Sequence, residues 1–221
     1  MSLYASNFSG TRRLLLASSI MAFPFTLIIF HFFPAEWPPI FAFIAALFFY
    51  WVFILGSALA VTKFRLEILK NSLKPRNKPG WIVSYNIFAF TPVAGVFFVT
   101  FLPNVSELSF INLMIIILIS LINGTLEEIF WRGLYLIHFR HNTKIAIIFS
   151  SIVFGLWHLS LLSLKGIQYK GGFITLVGGA LFMGFVWSFI AQKTGSIFYT
   201  ITAHIAVNIF AFTGLFVGNN F

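Results

Sequence analysis

The sequence predicts an all-α fold, a polytopic bundle of about seven transmembrane helices. Three observations carry that prediction. The 221 residues are 59% hydrophobic and only 9% charged, with a mean hydropathy of +0.96, whereas a soluble domain needs far more surface charge to stay dissolved. Apolar runs of about twenty residues, the length that crosses a bilayer, recur at 14–33, 40–61, 81–102, 109–131, 145–163, 172–191 and 196–217. The basic residues are sorted to alternate ends of these runs. The runs fill most of 1–221, which therefore reads as a single transmembrane domain with no separate soluble module.

The first run follows Arg12 and Arg13. It is long for the apolar region of a signal peptide and has no small-x-small exit into a polar segment, so it reads as a retained span. The second run contains "GSALA" (Gly56 to Ala60). A rhomboid-type serine protease would need a matching histidine, and the histidines of this chain have better partners elsewhere. After it, 62–80 with "NSLKPRNKPG" is the one clear linker, combining Pro, Gly and charge.

Arg12, Arg13, Lys63, Arg65, Lys70, Lys74, Arg76, Lys78, Arg132, Arg140, Lys144 and Lys193 fall on one side of the predicted bundle. Lys165 and Lys170 fall on the other, with Glu36 and Glu107. The positive-inside rule then places the N-terminus in the cytoplasm, the C-terminus outside, and 62–80 against anionic lipid. The formal charge of +9 thus reads as a determinant of topology, with the lipid bilayer as partner and no nucleic acid. The absence of cysteine excludes thiol catalysis, and the absence of aspartate excludes aspartyl intramembrane proteases. No inverted repeat is visible, which argues against a secondary transporter. The 31 phenylalanines, scattered along apolar runs, indicate lipid contact and packing.

Polar residues at membrane depth are costly and usually paired or functional. They stand at four places: "TLEEIFWRG" with Glu127, Glu128 and Arg132, then His158, His204 and Asn208. Glu128 and Arg132 are four apart and share a helix face, while Glu127 points about 100° away. Arg132 is then expected to neutralise Glu128, leaving Glu127 as the carboxylate free for chemistry. His204 and Asn208, again four apart, look into one space. At about 1.5 Å per residue, Glu127 lies roughly 18 Å from the cytoplasmic end near Phe139, His158 roughly 20 Å from Ile145 and His204 roughly 12 Å from Ser196. Three runs distant in sequence thus place ionisable groups at one level, as a buried site requires. "NGT" (Asn123 to Thr125) is expected to loosen the helix before Glu127 or to admit a close helix neighbour. His31, His138 and His141 fall near the membrane interfaces and read as structural. Trp131 and Trp157 fit either a pocket wall or simple aromatic packing.

The succession "EEIFWR", "FGLWH", "HIAVN" resembles the motifs of the CPBP family of intramembrane proteases, which includes the CAAX-processing prenyl endopeptidases and bacteriocin-immunity proteins. The matching positions are Glu127, Glu128 and Arg132, then Phe154 and His158, then His204 and Asn208. The resemblance implies a helical membrane hydrolase with a catalytic cavity between helices, open to the cytoplasmic side, and a motif-bearing core at 109–217. It implies Glu127 as the general base that activates water, His158 as its helper, and His204 with Asn208 as holders of the oxyanion. Glu128, Arg132 and Phe154 would be supports. The expected substrate is a membrane-associated or lipidated peptide or protein.

Zinc held by Glu127, His158 and His204 is the alternative to the expected metal-free, cofactor-free hydrolysis. A silent or partner-dependent member, acting in peptide immunity or protein modification, is the alternative function. A transporter is the more distant one.

Overall fold

The computed structural model describes residues 2–34, 36–74 and 79–221, and those residues contain helices and no strand. Seven helices are long and apolar enough to cross a membrane: Ser9–His31, Pro39–Thr62, Val83–Glu107, Phe110–His138, Lys144–Ser163, Ile174–Thr194 and Phe198–Gly218. They are called the first to seventh spans below. The chain is an integral, multi-pass membrane protein. Large apolar side chains such as Phe41, Phe48, Phe98, Val99 and Ile174 cover the outside of the bundle. That inverts the surface of a soluble protein and suits a hydrocarbon solvent.

The ends of the spans follow from local chemistry. Pro38 and Pro39 open the second span, where a missing N–H costs nothing. Lys63 closes it in the left-handed region at φ 53°, followed by Phe64 at φ 59°. Ser109 caps the fourth span by accepting a hydrogen bond from the Asn112 N–H at 3.1 Å. Gly195, left-handed at φ 69°, closes the sixth.

Two sequence expectations need correction. The fourth span continues to His138, past the apolar run that ends near residue 131 and up to the helix end expected near Phe139. Arg132, counted in the sequence among the span-end charges, is buried inside this helix and paired there, so it does not terminate it. The linker 62–80 also contains a helix, Leu66–Leu73. Its Leu69 packs on the core, and the Ser72 and Leu73 carbonyls accept hydrogen bonds from the Ile197 N–H (2.8 Å) and the Ser196 hydroxyl (2.7 Å). Eight residues are too few for periodicity to stand out in a sequence, so tertiary contacts make this helix visible. Arg76 and Lys78 of the basic loop lie outside the described residues.

Buried hydroxyls and amides stitch the spans together. The Tyr135 hydroxyl donates to Ser19 at 2.7 Å, Thr26 donates to Ser160 at 2.8 Å, and the Trp187 indole donates to the Ala89 carbonyl at 3.1 Å. The fourth and seventh spans pack extensively against each other. Gly124 is the reason they can. A Cβ there would stand 2.9 Å from Ile205 Cγ1, 3.0 Å from Ile205 N and 3.2 Å from its Cα. Of the two expectations for "NGT", close approach is the one realised, since the helix runs unbroken through Phe110–Glu128.

Gly124→Val is expected to destabilise the protein by about 2–3 kcal/mol, because backbone rather than a mobile side chain must yield. Thermal unfolding in detergent measures it, and an unchanged midpoint would show that the two helices separate freely.

Candidate functional site

The fourth span carries the first three polar residues, and its backbone changes character at them. Phe110–Glu128 is α-helical, and Ile129–Gly133 is a π-helical turn. Such a turn widens the helix by one residue and is common at functional sites. Glu128 and Arg132 still share a face, with Arg132 Nη1 3.1 Å from Glu128 Oε1. Both side chains are almost wholly buried. The expected neutralisation of Glu128 by Arg132 is therefore present.

The remaining guanidinium N–H groups have no hydrogen-bond acceptor, and the group lies over aromatic rings instead. Its Cζ is 4.1 Å from the centroid of Phe154 and 5.7 Å from that of Trp187. A cation held against a ring face is worth up to about 2 kcal/mol when desolvated. This gives Phe154 of the "FGLWH" segment a physical reason to be aromatic.

His204, from the seventh span, joins the two glutamates. Its Nε2 is 3.1 Å from Glu127 Oε2 and its Nδ1 is 2.9 Å from Glu128 Oε1. The ring packs on Trp187 at 4.6 Å between centroids. Two carboxylates around one imidazole are best satisfied when both ring nitrogens donate. Glu127, Glu128, His204 and Arg132 then sum to zero charge, the condition under which such a cluster tolerates burial.

Glu127 is consequently held on one oxygen and free on the other. Oε2 accepts from His204 and from Asn123 Nδ2, the latter at 3.0 Å. Oε1 is buried and lies outside hydrogen-bond geometry among the described residues, with the Tyr50 O–H the donor nearest to completing a bond to this carboxylate. His158 and the Tyr50 hydroxyl both face this carboxylate.

His158 is half-buried and its Nδ1 bonds to the Phe154 carbonyl at 2.8 Å. A carbonyl can only accept, so Nδ1 carries the proton and Nε2 offers a lone pair. Asn208 lies one turn beyond His204, buried, with Nδ2 unpartnered. No hydrogen bond ties it to the cluster.

Sequence reasoning missed three contributors. Asn123 sits four residues before Glu127, a spacing that places it on the same face and that the sequence offered as a signal. Tyr50 and Trp51 of the second span offered none. Trp51 Nε1 donates to Asn123 Oδ1 at 2.8 Å, and Trp131 Nε1 donates to the Tyr50 hydroxyl at 2.8 Å. Trp157 stacks on Tyr50 with centroids 3.8 Å apart. The two tryptophans left open by the sequence thus pack and also orient a polar group.

The zinc alternative can be tested on the donors. A zinc-bound histidine gives the metal an unprotonated nitrogen. His204 has both nitrogens against carboxylates, whereas the carbonyl on His158 Nδ1 leaves its Nε2 open. Of the three, His158 Nε2 and Glu127 Oε1 are open to a metal in this arrangement and His204 is not.

Residues 109–210 match the family model described as Type II CAAX prenyl endopeptidase Rce1-like. No curated relative and no solved structure matches the chain. The matched segment, just under half of the chain, holds Glu127, Glu128, Arg132, Phe154, His158, His204 and Asn208, and over those residues this membrane protein is similar to the CPBP/CAAX protease family.

Proposed function

We propose that the protein is an intramembrane endopeptidase that hydrolyses a peptide bond of a membrane-associated or lipidated substrate with a glutamate-activated water. One observation carries this reading: Glu127 has a buried oxygen outside any hydrogen bond and its carboxylate faces His158, whereas Glu128, with an unpartnered oxygen too, is paired with Arg132. A general base needs such an oxygen within reach of the water it deprotonates.

In the proposed reaction the water lies between Glu127 Oε1 and His158 Nε2. Its proton passes to Oε1 as its oxygen attacks the scissile carbonyl carbon. The oxyanion that forms takes the free N–H of Asn208. Glu127 loses its charge in accepting the proton, which weakens its bond to His204, and the His204 Nε2–H turns to the oxyanion as a second donor. Donors in a dry, preorganised site stabilise such charge strongly. As the C–N bond breaks, Glu127 passes its proton to the departing amine. No metal or other cofactor takes part. The arrangement in the membrane follows the basic residues, with the N-terminus and the mouth of the site on the cytoplasmic side.

Asn208→Ala is expected to lower turnover by roughly a hundredfold with little change in stability, since its Nδ2 has no hydrogen-bond partner among the described residues. Equal turnover in the variant would remove Asn208 from the oxyanion site.

The reading is tested by comparing protein termini in membranes from cells that produce the native chain or its Glu127→Gln form. New termini confined to the native form establish proteolysis and reveal the substrate. Identical profiles, with a phenotype such as peptide resistance kept in both, would replace it by a binding or immunity role.

A further inference from the structure

The second span lies outside the segment that matches the family, yet it reaches the carboxylate of Glu127 through an amide. An indole N–H can only donate, so Trp51 at 2.8 Å requires the oxygen of the Asn123 amide to face it. The Asn123 Nδ2 must then point the opposite way, where Glu127 Oε2 accepts it at 3.0 Å. Each end of the amide is set by a partner of one hydrogen-bonding sense, and the amide has no second orientation that keeps both bonds. The result is directional: Trp51 fixes Asn123, Asn123 fixes Oε2, and Oε1 is the oxygen left outside any formed hydrogen bond, on the side of His158 and the Tyr50 hydroxyl.

His204 alone would not achieve this. A single donor leaves a carboxylate able to turn about its terminal bond, whose torsional well is broad. Two donors arriving from different helices at one oxygen hold its plane.

We infer that Asn123, locked by Trp51, is a positioning residue that decides which oxygen of Glu127 meets the water. The inference rests on the endopeptidase reading for its kinetic consequence but not for its geometry. It also assigns the second span a part in the site. Trp51 is the sensor in this arrangement, since a shift of the second span against the fourth would break the 2.8 Å bond before any catalytic residue moved.

The test uses the full chain in nanodiscs, labelled with isotope-enriched glutamate. The infrared difference between native protein and Glu127→Gln identifies the Glu127 carboxylate band. That band is then followed in Trp51→Phe, which keeps an aromatic ring but removes the donor, and in Asn123→Leu, which keeps the volume but removes the amide. The band is expected to shift in both. The double variant should shift no further than Asn123→Leu, because Trp51 acts only through the amide.

On a substrate found by the terminal comparison, Trp51→Phe should lower kcat about tenfold at unchanged KM. An unmoved band, or an unchanged kcat, overturns the inference. A band that shifts in a protein whose native and Glu127→Gln forms yield the same termini would sink the endopeptidase reading and leave the anchoring of Glu127 standing. Should Asn123→Leu fail to fold, Trp51→Phe, at a half-buried position, carries the test by itself.

Discussion

Glu127→Gln is expected to lower turnover by about a thousandfold while the protein stays folded. The two side chains have nearly the same shape, an amide oxygen at the Oε2 position still accepts from Asn123, and His204 keeps the cluster neutral by giving up its Nε2 proton. What disappears is the basicity of Oε1, the one carboxylate oxygen here that no donor occupies on Glu127. The measurement is kcat on a membrane-anchored peptide, with thermal unfolding of the same preparation as control. Native-like turnover would end the mechanism outright. His204→Ala is a poorer probe of chemistry, because His204 also bridges Glu127 to Glu128. Its removal leaves two buried carboxylates facing one guanidinium, so lost activity and lost stability would arrive together.

Arg132→Ala is the second large effect, and it is an effect on folding. Arg132 brings the cluster of Glu127, Glu128 and His204 to neutrality and is itself almost wholly buried. Its removal leaves an uncompensated charge in the bundle and a void beside Phe154, whose ring it covers at 4.1 Å. Breaking a buried pair in this way costs about 3–5 kcal/mol, enough to eliminate most of the stability of an ordinary domain. A sharp fall in purified yield and in the unfolding midpoint is expected. Arg132→Lys should fall between the two, since an ammonium keeps the charge but not the flat stacking surface. Adding Glu128→Gln to Arg132→Ala restores the charge balance and should recover part of the loss. Normal yield from Arg132→Ala alone would show that Glu128 needs only His204.

The parts of the site that were legible in the sequence are those encoded within one helix. Glu128 and Arg132 at a four-residue spacing, and His204 with Asn208 at the same spacing, follow from helical geometry. The depth argument that put Glu127 level with His158 and His204 rests only on rise per residue. The structure does join His204 to both glutamates at 2.9–3.1 Å. His204, however, is engaged on both ring nitrogens in the resting protein, which the motif alone did not suggest. Asn123 was one turn from Glu127 and its spacing was readable, but an asparagine before a glycine invites a backbone explanation instead. Tyr50 and Trp51 were not readable, because an aromatic residue in an apolar run looks the same whether its polar atom faces lipid, a neighbour or a carboxylate.

By itself the sequence determined that this chain crosses the membrane in about seven helices and that a few ionisable groups are buried there. Hydrophobic run length and the cost of charge in hydrocarbon are properties of the local chain, and no partner is needed to read them. Only the tertiary structure decided which oxygen of Glu127 stays free, that Arg132 lies inside the fourth span rather than at its end, and that the second span reaches the site through Trp51. Those outcomes depend on the rotation of one helix against another. That rotation is set by close contacts such as Gly124 against Ile205, between residues far apart in the chain.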